Sequence, residues 1–401
     1  MSGDRQRFIV PKDPRPSWSS LALRQSEPPI AGLPETSRRV PLFWARNAIY
    51  HALRAFKIAA GDEVLVPAYI CSAAIEPILA AGAKVVLYDV RRDASVDLRA
   101  LEAAVSGRTR AIVLVHYFGF PNDAAGARAL CNRRDLFLIE DCAHVQSGTI
   151  AGRSLGAWGD ASVFSWRKFF PLFDGGELIL NRADCELNFQ PAHESVLFTL
   201  RAAKNVLESS FAKPQIISTP PLGDSVETSN QSASSNGNAG ARRAGPLGVD
   251  NNSPSFQSEM VNFPMSRTSR FLLECADFPA AARARRKNYK FLADAMRDFA
   301  GVKPLFAAMP ADVVPYVFPV LFDAPDAHLP LRRAGIPAVS WEGVRHALAD
   351  KREFPGAGFL YDHAVFLPVH QDLTRADLEA IARAVQAVNA PVKAATSTAL
   401  A

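Results

Sequence analysis

From Asn47 onward, apolar residues recur at Ala48, Ile49, Ala52, Leu53 and Phe56, a helical spacing that Gly61 and Asp62 close. Regular structure is therefore expected to begin near Phe43. Strands and helices then alternate. The pattern predicts strands over 63–67, 84–90, 111–116 and 136–140, and helices over 72–81, 98–105 and 124–133. Val64–Val66, Val85–Leu87, Ile112–Val115 and Leu136–Ile139 are continuous apolar runs, as strands buried on both faces require. A further run, 161–166, and Leu178–Leu180 read as two more strands. This alternation specifies an α/β fold: a mainly parallel central sheet covered by helices, followed by a smaller α+β unit.

The later pattern is weaker. Residues 192–211 fit one or two helices, and 266–275 and 279–299 fit two more. Strands are expected around 316–322 and 364–368, with helices before Gly335 and after Leu373, the last capped within Thr374–Asp377. Residues 1–38 hold prolines, serines and charges without sustained periodicity and read as a loosely ordered arm packed on a larger body. Residues 39–275 form the large domain. Within it, 224–259 is rich in Ser, Asn and Gly and reads as a flexible insertion with no packed structure. Residues 276–390 form the small domain, and 391–401 a disordered tail.

Composition narrows the class. The chain has 401 residues, 48% hydrophobic and 21% charged, enough for two or three domains. Its net charge of +5 is scattered, so nucleic acid is not an expected partner. Five widely spaced cysteines fit neither a disulfide framework nor a metal site and suggest a reducing compartment. With no signal-like apolar segment and no membrane-length run, a cytoplasmic protein is expected.

Candidate chemistry lies just past the strand ends, where open α/β sheets bind ligands. There stand Tyr69 and Cys71, His116 and Tyr117, Asp141 and His144, and Ser165 and Lys168. Lys168 is flanked closely by apolar residues. An amine so placed loses hydration of its charged form, its pKa falls, and it becomes the kind of lysine that forms Schiff bases. Each residue also has a plainer reading: Lys168 as a surface lysine, His116 as a satisfied core histidine, Asp141 as a cap for a helix over 143–146, and Cys71 as a small buried apolar group.

Several segments together resemble the DegT/DnrJ/StrS family of pyridoxal-phosphate sugar aminotransferases, of the aspartate-aminotransferase fold. They are Gly61–Pro67, Gly82–Asp89, Val115–Pro121, Ile139–His144, Phe164–Gly176, Asn262–Ser266, Arg285–Tyr289 and Phe366–His370. The resemblance implies pyridoxal 5'-phosphate as cofactor. It implies Lys168 as the Schiff-base lysine, Asp141 as the carboxylate at the ring nitrogen, and His144 near the ring hydroxyl. Ser165 and the helix start at Arg46, Asn47 and Ala48 would meet the phosphate, with Asn262 reaching it from the partner subunit of a homodimer. Cys71 stands where the family often carries an aromatic that stacks on the ring, and Tyr69 or Tyr117 could serve instead. The implied reaction moves an amino group from an amino acid such as glutamate to a keto sugar, often nucleotide-linked, for cell-surface polysaccharide or secondary metabolites.

The chain departs from the family pattern in three places. Ser165 lies three residues before Lys168 rather than five, with Phe173-Asp174 before the glycine pair where Gly-Glu is common. Pro264 replaces an arginine two residues after Asn262, which bears on substrate recognition. Cysteine stands at position 71. Two alternatives follow. One is a cofactor-dependent deoxygenase or dehydratase, in which the lysine is typically a histidine. The other is a non-catalytic protein of the same fold that binds cofactor or sugar.

Overall fold

A computed structural model describes residues 5–7, 9–15, 30, 32–211, 216–218 and 256–389. A short strand, β1 (Arg5–Arg7), precedes β2 (Arg38–Leu42) and α1 (Ala45–Ala55). The alternating body follows: β3 (Glu63–Pro67), α2 (Ser72–Ala80), β4 (Lys84–Tyr88), α3 (Leu98–Ala103), β5 (Thr109–Val115), α4 (Ala124–Arg134) and β6 (Phe137–Cys142). The hairpin of β7 (Thr149–Ile150) and β8 (Arg153–Ser154) leads into β9 (Ala161–Ser165) and β10 (Gly176–Leu180). Next come α5 (Val196–Phe211), β11 (Ile216–Ser218), α6 (Arg267–Glu274) and α7 (Phe278–Ala295). The chain continues through β12 (Val302–Pro304), β13 (Val317–Phe322), α8 (His328–Arg333), α9 (Pro355–His363), β14 (Ala364–Pro368) and α10 (Arg375–Asn389).

Seven strands form the central sheet in the order β2-β10-β9-β6-β5-β3-β4. All pairings from β9 to β4 are parallel, and β10 alone runs against its neighbours β2 and β9. The apolar runs explain the parallel half: every residue of β3 and β9 is buried, as a sheet covered on both faces requires. The central sheet begins earlier than Phe43, at β2, and the short strand β1 lies earlier still. The sequence Arg-Arg-Val-Pro-Leu hides β2 from an apolar-run criterion. As an edge strand it tolerates both the charges and Pro41. No helix covers 143–146; a turn does.

The second sheet, β12-β13-β14, is antiparallel. Two elements in this half, β12 and α9, escape the sequence pattern. Thr374 and Asp377 bond reciprocally at the start of α10, where Thr374 N donates to Asp377 Oδ2 at 2.8 Å and Asp377 N to Thr374 Oγ1 at 3.2 Å. Helix α9 ties the two halves together: Asp89 accepts from the amides of Gly356 and Ala357, both at 2.9 Å. The Tyr361 hydroxyl meets the carbonyls of Ala68 and Ile70, also at 2.9 Å.

The arm residues 9–15 pack on the small sheet side. Val10 is buried, Ile9 N donates to Gly335 O at 2.9 Å, and His370 Nε2 meets Pro11 O at 3.1 Å. Residues 224–255 of the expected insertion and the tail 391–401 lie outside the described residues. Within the expected insertion Phe256 stacks on Tyr50 at 5.4 Å, so packed structure resumes before the expected boundary. Among the described residues, no helix is long and apolar enough to cross a membrane.

Candidate active site

Loops leave an open sheet at the carboxyl ends of its strands, so side chains just past neighbouring parallel strands share one crevice. Here a cavity of about 330 Å³ lies over the ends of β3, β5, β6 and β9, facing the start of α1. Lys168, Asp141, His144, Ser165, Arg46 and Cys71 all line it.

Lys168 ends a single 3-10 turn, Trp166–Lys168, that follows β9 directly. The turn is pinned from below. Trp166 is buried, its indole donates to Glu177 Oε2 at 2.7 Å, and its amide donates to Gly175 O at 2.7 Å. The glycine pair that follows has a steric reason. A β-carbon at Gly176 would overlap the carbonyl carbon of Trp44, so β10 can pass beneath the start of α1 only without a side chain there.

Burial pushes the Lys168 amine down to about 8, and the nearby Asp141 charge opposes that fall. Burial likewise pushes the Asp141 carboxyl up, while Lys168 pulls it down. The protein gives Asp141 one fixed bond, from Ala143 N to Oδ1 at 2.9 Å. Because no helix follows, this is a local turn contact and not a helix cap. His144 is held well below its ordinary range, first by burial and then by Lys168. It is therefore neutral. Its Nδ1 accepts from Phe118 N at 3.3 Å, which assigns the proton to Nε2. The ring is stacked between Phe118 at 5.6 Å and Tyr316 at 4.8 Å. Lys168 Nζ lies 5.8 Å from the centre of the Tyr316 ring.

The remaining expected residues separate. Arg46 lies in the first turn of α1 with its guanidinium 4.7 Å over the Trp44 ring. Asn47 and Ala48 do not line the cavity: Asn47 is buried, with Nδ2 donating to Met260 O at 2.8 Å, and Ala48 is core. Asn262 is exposed and outside the cavity of this single chain; its carbonyl accepts from Ala192 N at 2.8 Å. It does not cap α6, a task Ser266 performs by accepting from Ser269 N at 3.2 Å. Tyr69 and Tyr117 are both fully buried outside the cavity wall, and the Tyr117 hydroxyl donates to Tyr69 O at 2.6 Å. His116 is a satisfied core residue, bonded to Glu140 Oε2 at 2.9 Å and accepting from Asn122 N at 3.0 Å.

Sequence reasoning missed Tyr316, Trp341, Arg167, Lys12 and Asp13, which also line the cavity. Trp341 stands 5.4 Å from His144 and 4.9 Å from Tyr69, and supplies aromatic surface to the cavity. Arg167, adjacent to Lys168, was legible as a neighbour. Nothing local marks the others, which arrive from the arm and the small domain.

The donor set fits pyridoxal phosphate. It combines an amine with depressed basicity, a buried carboxylate, and two cations suited to an anion: Arg46 in the first turn of α1, and Arg167 beside Lys168.

Residues 45–188 match the DegT/DnrJ/EryC1/StrS aminotransferase family. The chain is 38% identical over 171 residues to the UDP-N-acetyl-3-dehydro-alpha-D-glucosamine 3-aminotransferase of Acidithiobacillus ferrooxidans, covering 41% of this chain and 45% of that one. It is 38% identical over 151 residues to the L-glutamine:scyllo-inosose aminotransferase of Streptomyces griseus, covering 37% and 36%. The match thus spans less than half the length of these relatives. A Streptococcus pneumoniae structure in its PLP form shares the fold, with a TM-score of 0.64 at 16% identity over 96% of this chain and 98% of that one.

Proposed function

The chain belongs, through residues 45–188, to the DegT/DnrJ/EryC1/StrS aminotransferase family, and from that premise we propose that it is a pyridoxal-phosphate-dependent sugar aminotransferase. The observation that carries the reading is the Lys168–Asp141 pair: an amine lowered to about 8 and a buried carboxylate influence each other across one cavity at adjacent strand ends.

Bound pyridoxal phosphate would supply a carbonyl for amines and a ring that withdraws electrons from the reacting carbon. Asp141 would keep the ring nitrogen protonated. His144, neutral, would offer its Nε2 proton as a donor. Ser165, Arg46 and the first amides of α1 would hold the phosphate. Lys168 Nζ would hold the cofactor through its carbonyl at rest and, once free, would take a proton from, or return one to, the amine-bearing carbon of whichever substrate is bound, a task suited to an amine titrating near neutrality. Tyr316, Phe118 and Trp341 narrow the crevice and limit water around the amine.

The amino donor is proposed to be an amino acid, glutamate first, and the acceptor a cyclic keto sugar. The two relatives' names point to a ring ketone, one nucleotide-linked and one not. A homodimer in which exposed Asn262 completes the partner's phosphate site is part of the same proposal, as is a cytoplasmic location.

Purified protein with pyridoxal phosphate should develop a visible absorption band that borohydride bleaches, with the adduct mapped to Lys168. Adding glutamate should convert the band to that of the amine form. A missing band, or an adduct on another lysine, overturns the reading. A band that no amino donor converts overturns the transaminase reading while leaving cofactor binding in place.

A further inference from the structure

Arg285, on α7, is buried, with 1% of its surface exposed, and burial lowers its guanidinium to about 10. Holding a cation there costs several kcal/mol unless its donors are met. They are met by neutral oxygens. Nε donates to Gln371 Oε1 at 3.0 Å. Nη1 donates to Tyr316 O at 2.9 Å and to Pro315 O at 3.5 Å. Nη2 donates to Phe169 O at 3.1 Å and to Lys168 O at 3.4 Å. The guanidinium also lies 4.8 Å over the Phe169 ring. Gln371 closes the arrangement, because its Nε2 donates to Phe169 O at 2.9 Å.

Two of these carbonyls belong to Lys168 and Tyr316, the residues whose amine and ring face each other in the cavity. One fork therefore fixes the lysine turn of the large domain against the Tyr316 turn of the small domain. Resting on the reading of Lys168 as the reactive amine, we propose that Arg285, braced by Gln371, is a positioning residue that sets where the Lys168 amine stands relative to the Tyr316–His144 wall. Its planar fork matters more than its charge, since a lysine could reach only one of the two turns.

The test compares wild type, Arg285→Lys and Gln371→Ala. Arg285→Lys keeps the charge and should still lose about 10- to 100-fold in kcat, the scale of a misplacement near 1 Å, with KM for the amino donor changed far less. Gln371→Ala removes only the brace. It should lose about 3- to 10-fold in kcat and melt below wild type, since Arg285 Nε loses its acceptor, but one lost bond leaves it folded, so the idea stays testable if Arg285→Lys does not fold. Hydrogen exchange on cofactor-free protein gives a reading independent of activity: amides of 166–172 and 314–317 should exchange faster in both variants. Folded variants with a lower Tm but unchanged kcat and unchanged exchange at those amides would show mere core support and overturn the proposal. Failure of wild type to form an adduct at Lys168 overturns the functional reading instead, and exchange at those amides still decides whether Arg285 clamps the two turns.

Discussion

Glu140 and Asp141 are consecutive residues of β6, both buried, yet their surroundings differ sharply. Alternation along a strand sends them to opposite faces of the sheet. Glu140 accepts from the amides of Gly156 at 3.0 Å, Trp158 at 2.7 Å and Gly159 at 2.6 Å, and bonds His116 at 2.9 Å. Its oxygens are committed to holding a loop. Asp141 has one fixed bond and a lysine charge nearby, and it lines a cavity. A buried carboxylate with its acceptor sites filled by rigid amides can only brace. One left partly unfilled beside an amine can act on a ligand.

The sharpest way to break this contrast is Lys168→Ala. It should abolish turnover and the borohydride adduct while melting near or above wild type, because it deletes a desolvated amine. Detectable turnover would place the chemistry elsewhere. Asp141→Asn should still bind cofactor but lose about 10²–10³ in kcat, the usual scale for a lost electrostatic partner. A near-normal rate would reduce Asp141 to a turn residue.

Glu140→Gln should show the reverse signature. The amide NH₂ would face donors, so we expect a loss of about 2–4 kcal/mol in stability, read as a lower denaturation midpoint, with nearly normal kcat in the folded fraction. Loss of rate without loss of stability would erase the distinction between the two acids.

Titration sharpens it further. Adduct formation at Lys168 needs the free amine, so its rate should rise as pH passes about 8. Asp141 holds the proton on that amine, so in Asp141→Asn the midpoint should move lower. A midpoint that stays in place or rises would mean the two groups are not coupled.

Asp174 offers the smallest effect and a third kind of buried acid. Its Oδ1 accepts from Ser266 N at 3.1 Å, its Oδ2 has no hydrogen-bond partner among the described residues, and burial pushes it up to about 7. The folded state then holds a proton that the unfolded chain releases near pH ~4, so this group's contribution falls as pH rises from about 4 to about 7. Asp174→Asn keeps the Ser266 bond and avoids ionisation. It should melt about 2–4 °C above wild type at pH 8 and equal it at pH 4. Equal melting at both pH values would mean that the acid is not desolvated.

Much of this was legible along the chain because its causes are local. Continuous apolar runs of four or so residues must become doubly buried strands, and polar residues just past them must emerge at one edge of the sheet. That reasoning reached Lys168, Asp141, His144, Ser165 and Cys71, and the family resemblance brought Arg46. Contacts across a hundred residues or more were decided only by tertiary packing. They include the edge strand β2, whose polar sequence depends on β10 for its place, and the burial of Tyr69 and Tyr117 behind the cavity wall. They also include the arrival of Tyr316 and Trp341 from the small domain and the reach of Arg285 to the carbonyl of Lys168. Periodicity states which face of an element is buried. It carries no information on which distant element covers that face, and here the arm and the small domain supply more than a third of the cavity wall.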